Sequence, residues 1–323
     1  MARTVDVTEL LERAREGSPR AVARLISLVE DASPQLREVM AALAGHAGSA
    51  WVIGLTGSPG VGKSTSTSAL VKALRAEELR VGVLAVDPSS PFSGGALLGD
   101  RVRMADHALD PGVYIRSMAS RGHLGGLSWA TPQAIRVLDA CGCDVVLVET
   151  VGVGQSEVEV AASADTTVVL LAPGMGDGIQ AAKAGILEIG DVFAVNKADR
   201  EGVGATMRDL RGMISLAERR EAGDWRAPVV RMVASRGEGV DDLLEALQQH
   251  RDWSQETGEL ERRRTARVAG EIEAITLAAL RARIGDLRAG AGEGPGLADL
   301  AAEVLAGRTD PYSAADRLLA ALT

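Results

Sequence analysis

The chain is poor in aromatic residues: Phe, Tyr and Trp make up 2% of its 323 residues. Apolar content is nevertheless 46%, so a core has to be built from Leu, Val, Ile and Ala. Cysteine is nearly missing. The two present, Cys141 and Cys143, exclude a disulfide framework, and no further ligands stand beside them to complete a zinc site. They read as a pair of reduced, mostly buried thiols. Basic runs are scarce too: net charge is −9, and Arg262-Arg263-Arg264 reads as a solvated helix face. Nucleic acid is therefore not an expected partner. No apolar run reaches the length of a membrane span. The N-terminal Met-Ala-Arg-Thr-Val-Asp lacks the apolar core of a signal peptide. A cytoplasmic protein with no membrane partner is expected.

What is present is an alternation of strand and helix patterns. The length accommodates one large α/β domain with smaller appendages. Candidate strands are Val52–Thr56, Val81–Val86, Val113–Ser117, Val145–Glu149, Thr166–Leu171, Val192–Val195 and Val229–Val233. Most are short, continuous apolar runs, as a sheet covered on both faces requires. Helical spacings lie between most of them. The expected fold is α/β, a doubly wound, mainly parallel sheet over residues 49–250. Residues 1–48 read as an N-terminal helical extension, in which Ser18-Pro19 and Ser33-Pro34 each look like an N-cap followed by proline at the first helical position. Residues 251–323 read as a C-terminal helical region. There Leu260, Val268, Ile272, Ile275 and Leu280 follow at helical spacings, Gly290 to Gly296 breaks the pattern, and Asp310-Pro311 opens a last helix. Such helices cannot bury their apolar faces alone. They need the main domain or a second subunit.

The chain is organised around Gly57-Ser58-Pro59-Gly60-Val61-Gly62-Lys63-Ser64, which satisfies G-x-x-x-x-G-K-[ST], the phosphate-binding P-loop. A strand pattern precedes it, and a helical pattern from Thr65 to Glu78 follows. The glycines let the backbone turn sharply and approach phosphate oxygens. The N–H groups of residues 60 to 65, Thr65 included, would point into an anion cradle at a helix N-terminus. Lys63 would neutralise the β- and γ-phosphates, and the Ser64 hydroxyl would bind Mg²⁺.

Asn196-Lys197-Ala198-Asp199 follows the candidate strand Val192–Val195 and matches N-K-x-D, the guanine-reading sequence of GTPases. The Asp199 carboxylate can accept from both N1–H and the 2-amino group of guanine. Adenine offers neither donor there, and such a site discriminates by roughly 10⁴-fold or more. Ala234-Ser235, followed by Gly237 and Gly239, suits the supporting base-contact loop. Glu149-Thr150-Val151-Gly152 occupies the place of the acidic Walker B residue and the γ-phosphate-sensing glycine, so Glu149 is a candidate for Mg²⁺ and Gly152 for phosphate. Asp87, in Val86-Asp87-Pro88-Ser89-Ser90, and Asp100, in a Gly-rich loop, fall at the C-terminal edge of the sheet and are further Mg²⁺ candidates. Val153 stands where Ras-like enzymes place a water-orienting glutamine; the first glutamine is Gln155. Slow intrinsic hydrolysis is expected.

Together these stretches resemble the methylmalonyl-CoA mutase-associated GTPases, the MeaB/ArgK type. The resemblance spans about Trp51 to Ser235 and, less specifically, the helical ends. Its most specific parts are Val86–Ser90, Ser93-Gly94-Gly95 with Gly99-Asp100-Arg101, Glu149 to Glu157, Gly176-Asp177-Gly178-Ile179-Gln180 and Asn196–Asp199. Ala96 and Ala182 stand where the family often has Ile. The resemblance implies a homodimeric, Mg²⁺-dependent GTPase that converts GTP to GDP. It implies a chaperone for an adenosylcobalamin-dependent acyl-CoA mutase, gating that enzyme's cofactor loading and protection. It places the dimer contact on the C-terminal helices and a third switch at Gly174–Lys183. Asp100, Gln155, Gln180 and Lys183 are then the residues a partner would order, with Lys183 meeting developing charge. Three alternatives stay open at this point: a metallochaperone GTPase of the same class, a kinase acting on transport proteins, and a GTP-binding scaffold without meaningful turnover.

Overall fold

In the computed structural model of the chain, the described residues are 5–87, 104–107, 109–119, 130–150, 156–174, 186–217, 223–288 and 296–320. They fall into two compact units, Met1–Glu261 and Arg262–Thr323.

The first unit is built on seven strands: β1 (Trp51–Thr56), β2 (Val81–Asp87), β3 (Val113–Ala119), β4 (Val145–Thr150), β5 (Thr166–Leu171), β6 (Val192–Val195) and β7 (Val229–Arg231). Their order is β3-β2-β4-β1-β5-β6-β7, and every neighbouring pair is parallel. The helices are α1 (Val7–Arg15), α2 (Pro19–Glu30), α3 (Leu36–Leu43), α4 (Lys63–Ala76), α5 (Thr131–Ala140), α6 (Ser156–Ser163), α7 (Ile186–Ile189), α8 (Val203–Ala217) and α9 (Val240–Glu256). The continuous apolar strands work because both faces are covered. Alternate residues separate cleanly, as the two-residue period requires. Val52, Leu84, Met118, Val146 and Val148 join the core beneath α1, α2, α3 and α5. Ile53, Leu55, Val83, Leu147 and Val168 join the opposite core with Leu70 and Leu74 of α4 and Leu243 and Leu247 of α9.

All seven expected strands form, with small shifts at their ends. β7 stops at Arg231 rather than Val233. Beyond it the chain turns through a short 3₁₀ segment, Ala234–Arg236, and Val233 bridges antiparallel to Glu238. Pro19 opens α2 as expected. Pro34 does not open α3, which starts at Leu36. Ser33 Oγ accepts from Gln35 N at 3.3 Å, and the Gln35 side chain is bonded to both backbone groups of Val5, at 3.1 and 2.8 Å. That cross-link holds residues 33–35 in a turn and delays the helix.

The N-terminal helices are integral to the first unit. Arg116 of β3 forms an ion pair with Glu30 of α2 and reaches Ser27 Oγ at 3.2 Å. Asp139, near the end of α5, gathers the N–H groups of Gly48, Ser49 and Ala50, the last at 2.9 Å. The Ala/Gly/Ser joint before β1 is thereby pinned. Cys141 and Cys143 are buried free thiols, and burial pushes each up to about 12, so neither ionises near neutral pH.

α10 (Glu259–Arg288) begins at the end of the first unit. In the second unit α11 (Leu297–Leu305) and α12 (Pro311–Ala320) pack together, with Leu300 and Ala314 buried and an Arg317–Glu303 ion pair at 2.5 Å. Asp310 caps α12, accepting from Tyr312 N at 2.9 Å and Ser313 N at 3.1 Å. Among the described residues no helix is long and apolar enough to cross a membrane. The expected break at Gly290–Gly296 lies outside the described residues except for Gly296.

Candidate functional site

β1 sits mid-sheet, between β4 and β5. The chain leaves β1 for β2 on the far side of β4, while β5 pairs on the other flank. Loops therefore diverge at the carboxyl end of β1, where a doubly wound sheet opens its binding crevice.

The loop that fills this position is Gly57–Gly62. Gly57, Gly60 and Gly62 all have positive φ, at 140°, 81° and 98°. Two of them also have no room for a side chain. A Cβ on Gly57 would stand 2.3 Å from the Leu170 carbonyl oxygen, and one on Gly62 would stand 2.4 Å from Asn196 Nδ2. The loop thus needs glycine both for its turn and for its approach to β5 and the segment after β6. α4 starts directly at Lys63, so its first-turn N–H groups and positive dipole end open onto the loop. Lys63 Nζ donates to the carbonyl oxygens of Gly57 at 2.6 Å and Ser58 at 3.1 Å, which folds the ammonium back over the loop.

Glu149 stands on β4 in register with Leu55 of β1 and is 4% exposed. Its two oxygens are bonded separately: Ser64 Oγ donates to Oε1 at 2.7 Å, and Thr67 Oγ1 lies 2.8 Å from Oε2. Thr67 Oγ1 is also 3.0 Å from the Lys63 carbonyl oxygen, so its one proton serves one acceptor at a time. Sequence reasoning did not single out Thr67. The signal was available: it lies three residues after Ser64, on the same helix face.

The segment after β6 is braced against the P-loop. Asn196 is 3% exposed; its Nδ2 donates to the Val61 carbonyl at 2.8 Å, and its Oδ1 accepts from Ala234 N at 3.0 Å. One amide therefore ties three loops together. Lys197, in left-handed backbone at φ 56°, extends its ammonium to the Gly60 carbonyl. Asp199 is exposed beside them, with Oδ2 3.3 Å from Arg236 Nη2. Arg236 likewise went unnoticed in the sequence. Ala234 is buried and Ser235 exposed in the same turn.

The structure thus brings Gly57 to Thr65, Glu149, Asn196, Lys197, Asp199, Ala234 and Ser235 to one edge of the sheet. Asp87 ends β2 at that edge, its backbone in register with Ala119; its side chain, with Asp100, Gly152, Gln155, Gln180 and Lys183, lies outside the described residues. So does the stretch 175–185, most of the expected third switch. Among the described residues no cluster of three or more His, Cys, Asp or Glu side chains forms.

A family profile described as methylmalonyl Co-A mutase-associated GTPase MeaB matches residues 22–288. The chain belongs to the MeaB family. Among its relatives, the Escherichia coli GTPase ArgK is 37% identical over 253 residues, covering 76% of each chain. A relative from Pyrococcus abyssi is 46% identical over 316 residues, covering 97% of this chain and 96% of its own. A mouse protein named methylmalonic aciduria type A homolog, mitochondrial, is 40% identical over 214 residues, covering 66% of this chain and 52% of its own. Among solved structures, a LAO/AO transport system kinase superimposes with a TM-score of 0.66 at 25% identity, covering 98% of each chain. The protein is a MeaB-family GTPase on a P-loop α/β fold, as the sequence motifs led one to expect.

Proposed function

We propose that this MeaB-family GTPase serves an adenosylcobalamin-dependent acyl-CoA mutase, methylmalonyl-CoA mutase or a close relative, and that GTP hydrolysis gates loading and protection of that enzyme's cofactor. The description of the family as mutase-associated supports the partner class. The observation that carries the hydrolytic half is the buried Glu149 carboxylate, shared between Ser64 and Thr67 beneath the P-loop. GTP would lie with its phosphates against the N–H groups of residues 60 to 65. Lys63 would leave the Gly57 and Ser58 carbonyls to meet the β- and γ-phosphates. Asp199 would accept from the guanine edge, while Asn196 and Lys197 hold the base loops to the P-loop and Ala234-Ser235 close the turn.

Ser64 Oγ and Glu149 are hard oxygen donors, the kind Mg²⁺ prefers. That ion commonly uses one or two carboxylates, with waters and substrate phosphates completing its shell. They would hold Mg²⁺ directly or through water, with Asp87 and Asp100 as additional carboxylates. Bound there, Mg²⁺ would supply charge neutralisation for the phosphates. The chain's own part is to fix that position: Thr67 holds one Glu149 oxygen so that the other stays directed at Ser64. Phosphoryl transfer is catalysed mainly by positioning and charge. The Val153 side chain carries no polar group to hold the attacking water, so ordering of the loops carrying Gly152, Asp100, Gln155, Gln180 and Lys183 by the mutase would supply the missing rate. The protein alone is expected to turn over at about 10⁻⁴ to 10⁻² s⁻¹. Stoichiometric mutase should raise this at least about tenfold, and Lys183→Ala and Gln180→Ala should blunt the response. Steady-state phosphate release with and without the mutase checks this; no change with any cobalamin-dependent mutase rules out the chaperone reading.

We also propose a division of labour: residues 1–48 as a helical extension, 49–250 as the GTPase domain and 251–323 as the dimerisation region. On α10, Val268, Ile272, Ile275 and Leu280 leave an exposed apolar stripe, with Ile272 60% exposed. A second copy of the chain is the proposed cover, because apolar area on this scale is removed from water by association. Ile272→Asp with Ile275→Asp should give a monomer by light scattering at micromolar concentration while GDP binding persists. A monomeric wild-type protein under the same conditions would overturn the dimer.

A further inference from the structure

The Arg236–Asp199 pair has no part in the scheme above. Arg236 sits on a turn that cannot retreat. Ala234 N is bonded to Asn196 Oδ1 at 3.0 Å, and Val233 N donates to the Glu238 carbonyl at 2.9 Å. A Cβ on Gly239, at φ 73°, would stand 2.1 Å from the Arg231 carbonyl oxygen. The backbone is thereby fastened on both sides of Arg236, and only its side chain can swing. That side chain has two acidic neighbours: Asp199 Oδ2 at 3.3 Å from Nη2, and Glu238 Oε1 at 3.8 Å from Nη1.

We infer that Arg236 is a specificity-determining residue that competes with the purine for Asp199 and moves to Glu238 when guanine arrives. The inference rests on the reading of Asp199 as the guanine acceptor. Guanine presents two donors, N1–H and the 2-amino group, and so needs both carboxylate oxygens. Arg236 already engages one of them, Oδ2, and weakens it as an acceptor for a second donor. Hypoxanthine lacks the 2-amino group, needs one oxygen only, and leaves the Arg236–Oδ2 pair intact. The guanidinium therefore taxes guanine and not hypoxanthine, narrowing the preference for GDP over IDP. Glu238 limits the tax by receiving the displaced cation. Both carboxylates are exposed, which keeps the effect small: pairs of this kind shift an equilibrium by about two- to five-fold, and salt screens them.

The test is titration of the full-length protein with GDP and with IDP at low and high salt. Arg236→Ala should widen the GDP:IDP affinity ratio by about two- to five-fold at low salt and by less at high salt. Glu238→Gln should narrow it, because the cation then has nowhere else to go. The double variant should behave as Arg236→Ala alone. A general loosening of the loop would weaken both nucleotides together and leave the ratio where it was. An unchanged or narrowed ratio in Arg236→Ala overturns the inference, a narrowed one meaning that the guanidinium touches the base directly. Asp199→Asn separates the two failures. If it weakens GDP while Arg236→Ala leaves the ratio alone, the competition is wrong and the base reading stands. If it leaves GDP binding intact, the base reading is wrong and the inference goes with it.

Discussion

Lys63→Ala is expected to lower GTP turnover by about 10²–10³-fold, the loss typical of removing one preorganised charge or donor from a developing oxyanion. Lys63 is 7% exposed and its ammonium is held by two loop carbonyls at 2.6 and 3.1 Å, so water is poorly placed to replace it. GTP affinity should fall with turnover, and GDP affinity less, because the N–H cradle of the P-loop and α4 survives. Glu149→Gln provides the contrast. The amide keeps the volume of the carboxylate but carries one acceptor and one donor where Ser64 and Thr67 meet two acceptors. One hydroxyl must turn to accept, which is a small change, but the negative charge that would support Mg²⁺ is gone. Turnover is expected to drop by about 10²–10³-fold here too, with GDP binding nearly preserved. Single-turnover hydrolysis and GDP titration distinguish the variants, and thermal melts check that both fold. Normal hydrolysis by Glu149→Gln would remove Glu149 from the catalytic centre.

The scaffold of the site was legible in the sequence because it depends on local patterns. A buried parallel strand is an apolar run, and all seven runs became strands. The P-loop glycines are dictated by positive φ and by the approach of Leu170 and Asn196, so they stand out as a motif. What was not legible depends on side chains meeting across loops. Thr67 shares a helix face with Ser64, but that β4 brings Glu149 against it is visible only in the fold. Asn196 belongs to a base-reading motif, yet both ends of its amide are engaged with Val61 and Ala234, a bracing role visible only in three dimensions. Arg236 is an ordinary turn residue until the brace sets it beside Asp199. The delayed start of α3 has the same origin: Gln35 is committed to Val5, thirty positions away in the chain. Motif spacing reports chemistry that the backbone imposes nearby, whereas these contacts are decided by the packing of the sheet.

Asp199→Asn should exchange guanine for xanthine as the preferred base. In the wild-type site the carboxylate presents two acceptors to two donors of guanine. The amide presents one acceptor and one donor, so one guanine donor would face an N–H. Xanthine carries an oxygen at that position and restores the match. Hydrogen bonds to a charged partner are worth about 1.5–3 kcal/mol each. Asp199 is 39% exposed in its side chain and paired to Arg236, so the lower end applies. Losing one such bond at the lower end costs about 1.5 kcal/mol, or about a tenfold loss of GTP affinity. XTP should gain by a comparable factor. Arg236, no longer paired with Asp199, keeps Glu238 as its acidic neighbour. Competition between GTP and XTP in the turnover assay measures it directly, with maximal rate at saturation a control that phosphate chemistry is untouched. A variant that still prefers GTP with unchanged affinity would show that the base lies elsewhere, and the assignment of the whole N-K-A-D segment would have to be abandoned.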